Sequence, residues 1–156
     1  MKRLILPLIA LSMLITSCIG GDVYESPSND RTSGNGDLEL ITKSITVRPN
    51  QWVIDGTPGN EGAVLISEWS IREISQYVLE NGMMQVSYVF YDNNGNLVEH
   101  PLPYILPYAG SPANTVETYR WFAERGRLTL VIESSDFQCY SREEDLDFKV
   151  SILKYR

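Results

Sequence analysis

The residues best suited to covalent chemistry are two cysteines, Cys18 and Cys139. A cysteine attacks as its thiolate, so a reactive one needs a base or a positive charge beside it. The chain holds one histidine, His100, and a Cys139–His100 dyad is the one thiol–imidazole pairing it allows. The plainer reading of Cys139, within Asp136-Phe137-Gln138-Cys139-Tyr140, is a small, semi-buried apolar residue. Paired carboxylates would suit glycoside hydrolysis, but nothing in the acidic residues' spacing sets two of them across a cleft. A hydrolase therefore ranks behind binding functions, and the expectation is a non-enzymatic protein.

Metal chemistry has weak signals. Asp92, Asn94 and Asn96 have the spacing that opens a calcium loop. Leu97 occupies the position that requires glycine, and no glutamate closes the loop. The expected alternative is an Asn94-Gly95 type I′ hairpin turn, since both residues tolerate positive φ. The run Glu143-Glu144-Asp145 with Asp147 reads as a solvated loop in preference to a loose calcium site. One histidine and one uncommitted cysteine cannot build a tetrahedral site, so no metal and no cofactor is expected.

Cys18 differs from Cys139 in its setting. Lys2 and Arg3 precede an apolar run from Leu4 to Ile15, and the small residues Thr16 and Ser17 lead into Cys18. The run, about a dozen residues, is too short to span a bilayer and suits a signal-peptide core. The arrangement resembles the bacterial lipobox. The resemblance implies a signal peptide over 1–17, lipid attachment at Cys18 with a diacylglyceryl group plus an N-acyl chain, and a firm hold on a bilayer, since more than one chain is needed for stable anchoring. It implies a cell-envelope protein, with the outer membrane the expected location.

Aromatic residues are the best candidates for recognition. Trp52, Trp69, Trp121 and nine tyrosines are present, and such rings stack on sugars and anchor protein interfaces. Each can equally serve a sandwich core. Tyr104 and Tyr108, in Pro101-Leu102-Pro103-Tyr104-Ile105-Leu106-Pro107-Tyr108, and Trp121 form the candidate binding surface. The competing reading of the proline segment is a loop laid over an open sheet edge, shielding it from aggregation.

The whole chain of 156 residues carries a net charge of −7. Loss of residues 1–17 leaves a chain of one-domain size and a charge of −9. Such acidity argues against nucleic acid, whose phosphates it could not neutralise, and leaves membrane contact to the acyl chains. Residues 18–37 are rich in Gly, Ser, Asn and Asp and read as a flexible linker from the lipidated cysteine.

A single domain over 38–156 must position everything else. Ile41, Lys43, Ile45 and Val47 alternate with polar β-formers, then Pro49 stops the run. Gln51 to Ile54 is a short apolar stretch. Ala63 to Ile71 and Met83 to Tyr91 alternate, the latter with Met84, Val86, Tyr88 and Phe90 on one face. The prolines at 101, 103 and 107 bar a central strand. Val116–Ala123 and Leu128–Glu133 are strands around a Glu124–Arg127 turn, and Phe148, Val150 and Ile152 mark a closing strand. Ser75 as N-cap and Asn81-Gly82 as stop place a short helix near 72–80. The pattern predicts an all-β, immunoglobulin-like β-sandwich of about seven strands with one short helix.

The segments Ile74-Ser75-Gln76-Tyr77-Val78-Leu79-Glu80-Asn81-Gly82, Pro101-Leu102-Pro103-Tyr104, Ser134-Ser135-Asp136 and Phe148-Lys149-Val150 follow one another in a set order. From about residue 40 onward the chain resembles a family of small lipoproteins of Bacteroidetes with a β-rich domain and no assigned activity. The resemblance implies the fold and an envelope location, and supplies no site residue. The leading expectation is a lipoprotein that binds or assembles with another envelope protein. A carbohydrate-binding accessory lipoprotein using exposed aromatics is the alternative.

Overall fold

Alternation of apolar and polar residues does most of the folding work in this chain, because a period of two puts one face of each strand against a core. A computed structural model describes residues 37–107 and 115–155; the signal segment, Cys18 and Tyr108 lie outside them. The strands are β1 (Leu38–Val47), β2 (Val53–Asp55), β3 (Val64–Ser70), β4 (Met83–Tyr91), β5 (Leu97–Pro101), β6 (Tyr104–Pro107), β7 (Val116–Glu124), β8 (Arg127–Ser134) and β9 (Leu146–Tyr155), with one helix, α1 (Gln76–Asn81).

Two antiparallel sheets result. One has the order β1-β9-β4-β5, the other β2-β3-β8-β7-β6. Their inner faces share one core, in which Val47, Val86, Phe148, Val150 and Ile152 meet Leu65, Leu128, Leu130 and Ile132. Tyr88 of β4 stacks on Tyr119 of β7 at 5.4 Å between centroids, joining the sheets. The runs β2-β3-β8-β7 and β9-β4-β5 follow the immunoglobulin orders A-B-E-D and F-C-C′, while β6 departs from it by adding to the β7 edge. The place beside the last strand, β9, is taken by the first strand, β1, which pairs with it from Leu38↔Tyr155 to Val47↔Leu146.

The expected faces of β1, β3, β4 and β9 hold. Lys43 shares the inner-face phase of β1 with Glu39, Ile41, Ile45 and Val47, and its ammonium meets the Glu73 carboxylate at 2.9 Å. An inward charge on an edge strand is a known guard against stray pairing.

Four expectations change. There are nine strands where about seven were expected. The proline segment itself forms two of the edges: β5 ends at Pro101, a cis Leu102–Pro103 peptide follows, and β6 ends at Pro107. A proline lacks the ladder donor but fits an edge, where one side of the strand needs none. It is therefore not a loop laid over another strand's edge.

The helix begins at Gln76, not near 72. Ser75 Oγ accepts from the Val78 amide, so the cap lies where the sequence placed it. Residues 71–74 instead turn around the β7–β8 hairpin, with Ile71 N–H donating to Gly126 and Gly126 N–H to Ile74. Ile71 and Ile74 belong to the core without being helical.

The β4–β5 turn is not type I′, because Asn94 has no positive φ and Gly95 alone adopts one, φ 81. Gly95 N–H donates to the Asp92 carbonyl. The Asp92 carboxylate accepts from the amides of Asn94 and Asn96 and from the Asn96 side chain. Those bonds hold its pKa below the usual carboxylate range, the Asn96 side chain contributing most.

Candidate binding surface

The register sorts the connections to two ends of the sandwich. At the entry end lie Leu38, Met83 and Tyr155, together with α1 and the tight Glu124–Arg127 hairpin. At the opposite, loop end lie the 56–63 connection, the 92–96 turn and the 135–145 connection. Loops on a rigid scaffold are where binding residues concentrate.

The loop end is built on a buried ion pair. Glu117 lies on the inner face of β7 and is 2 % exposed. Arg142 grips it with both terminal nitrogens, Nη1 donating to Oε2 at 2.9 Å and Nη2 to Oε1. Tyr119 donates its hydroxyl to Oε2 at 3.1 Å, and Ser134 Oγ donates to Oε1 at 3.5 Å. A bidentate guanidinium–carboxylate pair fixes orientation as well as distance. It fastens the 135–145 connection to the sheet. Burial, and then the Glu117 charge, push the Tyr119 hydroxyl pKa far up.

A second fastening centres on Asp136. Its carboxylate accepts from the Tyr140 hydroxyl at 2.5 Å, Thr115 Oγ1 at 3.2 Å and the Gln138 amide at 3.1 Å. The Tyr140 hydroxyl is the main cause of its lowered pKa. Phe137 adopts φ 58, uncommon for a bulky residue, and its carbonyl accepts from the Gly59 amide at 2.9 Å. That bond joins the 56–63 connection to the 135–145 connection. Asp55, Glu61, Asp92, Glu143, Glu144 and Asp145 belong to this end, against one exposed arginine, Arg48, while its Arg142 is already matched by Glu117. The exposed surface offered there is acidic.

Of the sequence candidates, Trp121 is half-buried and packs on the core, as do Trp52, Trp69 and Tyr104. Tyr104 stacks on His100 at 4.1 Å, and His100 stacks on Phe90 at 5.3 Å. Tyr104 and Trp121 thus have their rings engaged within the protein, because inner-face positions on β6 and β7 turn them inward. Cys139 packs on the core, and burial raises its pKa, the wrong direction for a nucleophilic thiolate. Among the described residues, no group of three or more His, Cys, Asp or Glu could hold a metal ion.

Glu117 and Arg142 were missed by the sequence reading. The available signal was Glu117 at an inward register position, in phase with Tyr119 and Trp121. No family model matches the chain, and neither a curated protein nor a solved structure matches it.

Proposed function

We propose that this chain is a non-enzymatic lipoprotein of the cell envelope, held at the outer membrane by acylated Cys18, that binds or assembles with another envelope protein through its loop end. The observation that carries the reading is the separation of the two ends. The chain enters the domain at Leu38, and the long connections gather at the opposite end on two polar fastenings. A tethered binding module works best with its recognition loops away from its anchor. The acidity of the loop end favours a partner surface of net positive charge, with association that weakens as salt screens it.

The reading is tested in cells with photo-crosslinking residues at Glu61, Glu144 and, at the entry end, Glu80. A discrete protein adduct from Glu61 and Glu144, lost in Glu143→Lys/Glu144→Lys, is expected. Equal adducts from all three positions would refute a loop-end interface. Labelled palmitate should enter the wild type and not Cys18→Ala.

A further inference from the structure

The outer face of the β1-β9-β4-β5 sheet changes character along its length. Its middle rows are polar: Thr46 opposes Asp147, Ser44 opposes Lys149, and Thr42 opposes Ser151. At the entry end the rows turn apolar. Leu40, Leu153 and Met83 form one row across three strands, and Leu38 opposes Tyr155 in the next. Leu40 is 65 % exposed and Met83 67 %, with Leu38 and Tyr155 also exposed. A shallow hollow of about 250 Å³ borders them, lined by Asn81, Gly82 and Lys154 as well. Lys154 lies 3.6 Å from Glu39, so its charge is met beside the patch.

Apolar residues gathered into a patch, unlike single exposed ones, mark a surface that something covers. This patch sits where the chain enters the domain. Nineteen residues, 19–37, separate Cys18 from the patch, and a chain of that length reaches at most about 65 Å. A lipid at Cys18 would keep the patch within that reach of the bilayer. Tethering of that kind gives a weak contact a high effective concentration.

We infer that the patch formed by Leu38, Leu40, Met83, Leu153 and Tyr155 rests on the bilayer surface and sets the domain's orientation, loop end outward. The inference rests on the lipid-anchor reading above. Leucine and methionine side chains enter the acyl boundary, and the tyrosine ring suits the headgroup level. The acidic loop end would be repelled by anionic lipid, which reinforces the same orientation.

The test uses the full lipidated protein, in a Cys139→Ser background, reconstituted into phosphatidylethanolamine–phosphatidylglycerol vesicles that carry a quencher on the lipid. An environment-sensitive fluorophore is placed at Asn81→Cys, beside the patch, or at Asn94→Cys, at the loop end. Several-fold stronger quenching at 81 than at 94 is expected. Adding Leu40→Ser and Met83→Ser, both at exposed positions, should bring the two to the same level. Co-flotation with the vesicles and equal quenching at both positions would overturn the inference and leave the anchor intact. Failure to co-float would overturn the anchor reading and the inference with it. An 81 label that is shielded without lipid quenching, in a protein that crosslinks to itself, would assign the patch to a second copy instead.

Discussion

The two ends of the sandwich are held by different physics. At the entry end, Ile71, Ile74 and Val78 are buried apolar side chains beneath a short helix and a two-residue hairpin. That end is stabilised by area removed from water, which is non-directional. At the loop end, Glu117, Arg142, Asp136, Tyr140 and Thr115 do the fastening. Such bonds are directional and hold long connections in one arrangement without a large apolar core. Burying the charges costs desolvation that the pair must offset, so the arrangement favours a defined shape more clearly than it favours stability. Defined shape is the property on which the proposed loop-end interface depends.

The largest expected effect comes from breaking the loop-end pair. Arg142→Ala leaves the Glu117 carboxylate buried with its main partner gone, and should cost about 3–5 kcal/mol in denaturant unfolding. A Glu117→Leu/Arg142→Met double variant should recover most of that stability and still loosen the loops, read as faster amide exchange over 135–145. If the double variant is as unstable as Arg142→Ala, the pair is a stability device and the contrast between the ends dissolves.

At the entry end, Ile74→Ala should cost about 2–4 kcal/mol through the cavity it leaves, with no effect on exchange at the loop end. A Cβ at Gly82 would come within 2.8 Å of the Val78 carbonyl oxygen and 3.0 Å of that of Leu153. Because both neighbours are backbone, Gly82→Ala should cost about 1–3 kcal/mol by equilibrium unfolding. Ser75→Ala removes the helix cap and should cost about 1 kcal/mol.

The smallest effect should be pH-dependent. The pKa of Asp136 is lowered in the folded protein, chiefly by the Tyr140 hydroxyl. A depressed carboxylate contributes stability above its unfolded value, about 3.9, and loses it as pH falls through the folded value. Tyr140→Phe should therefore be less stable than the wild type at neutral pH, with the gap narrowing below about pH 4. A gap that is constant with pH would mean that the hydroxyl does not act through the carboxylate.

The strands were readable because a period of two in β1, β4 and β9 survives whatever packs above it. The cap at Ser75 and the stop at Gly82 were readable because they act locally. The helix start was misplaced because Ile71 and Ile74 mimic helical spacing, while their burial comes from the neighbouring hairpin. The β4–β5 turn was misassigned because the Asp92 carboxylate, bonded to three nitrogens, selects a turn in which only Gly95 is left-handed.

The sequence by itself determined an all-β sandwich, since alternation, prolines and turn residues are encoded within short windows. Only the tertiary structure decided that the first strand borders the last, that the proline segment supplies edges of both sheets, and that Glu117 meets Arg142. It also decided that Tyr104 and Trp121 turn inward, and that Leu40, Leu153 and Met83 share a row. Each of these depends on register between segments far apart in the chain, and register follows from how two sheets close over one core, which no local window contains.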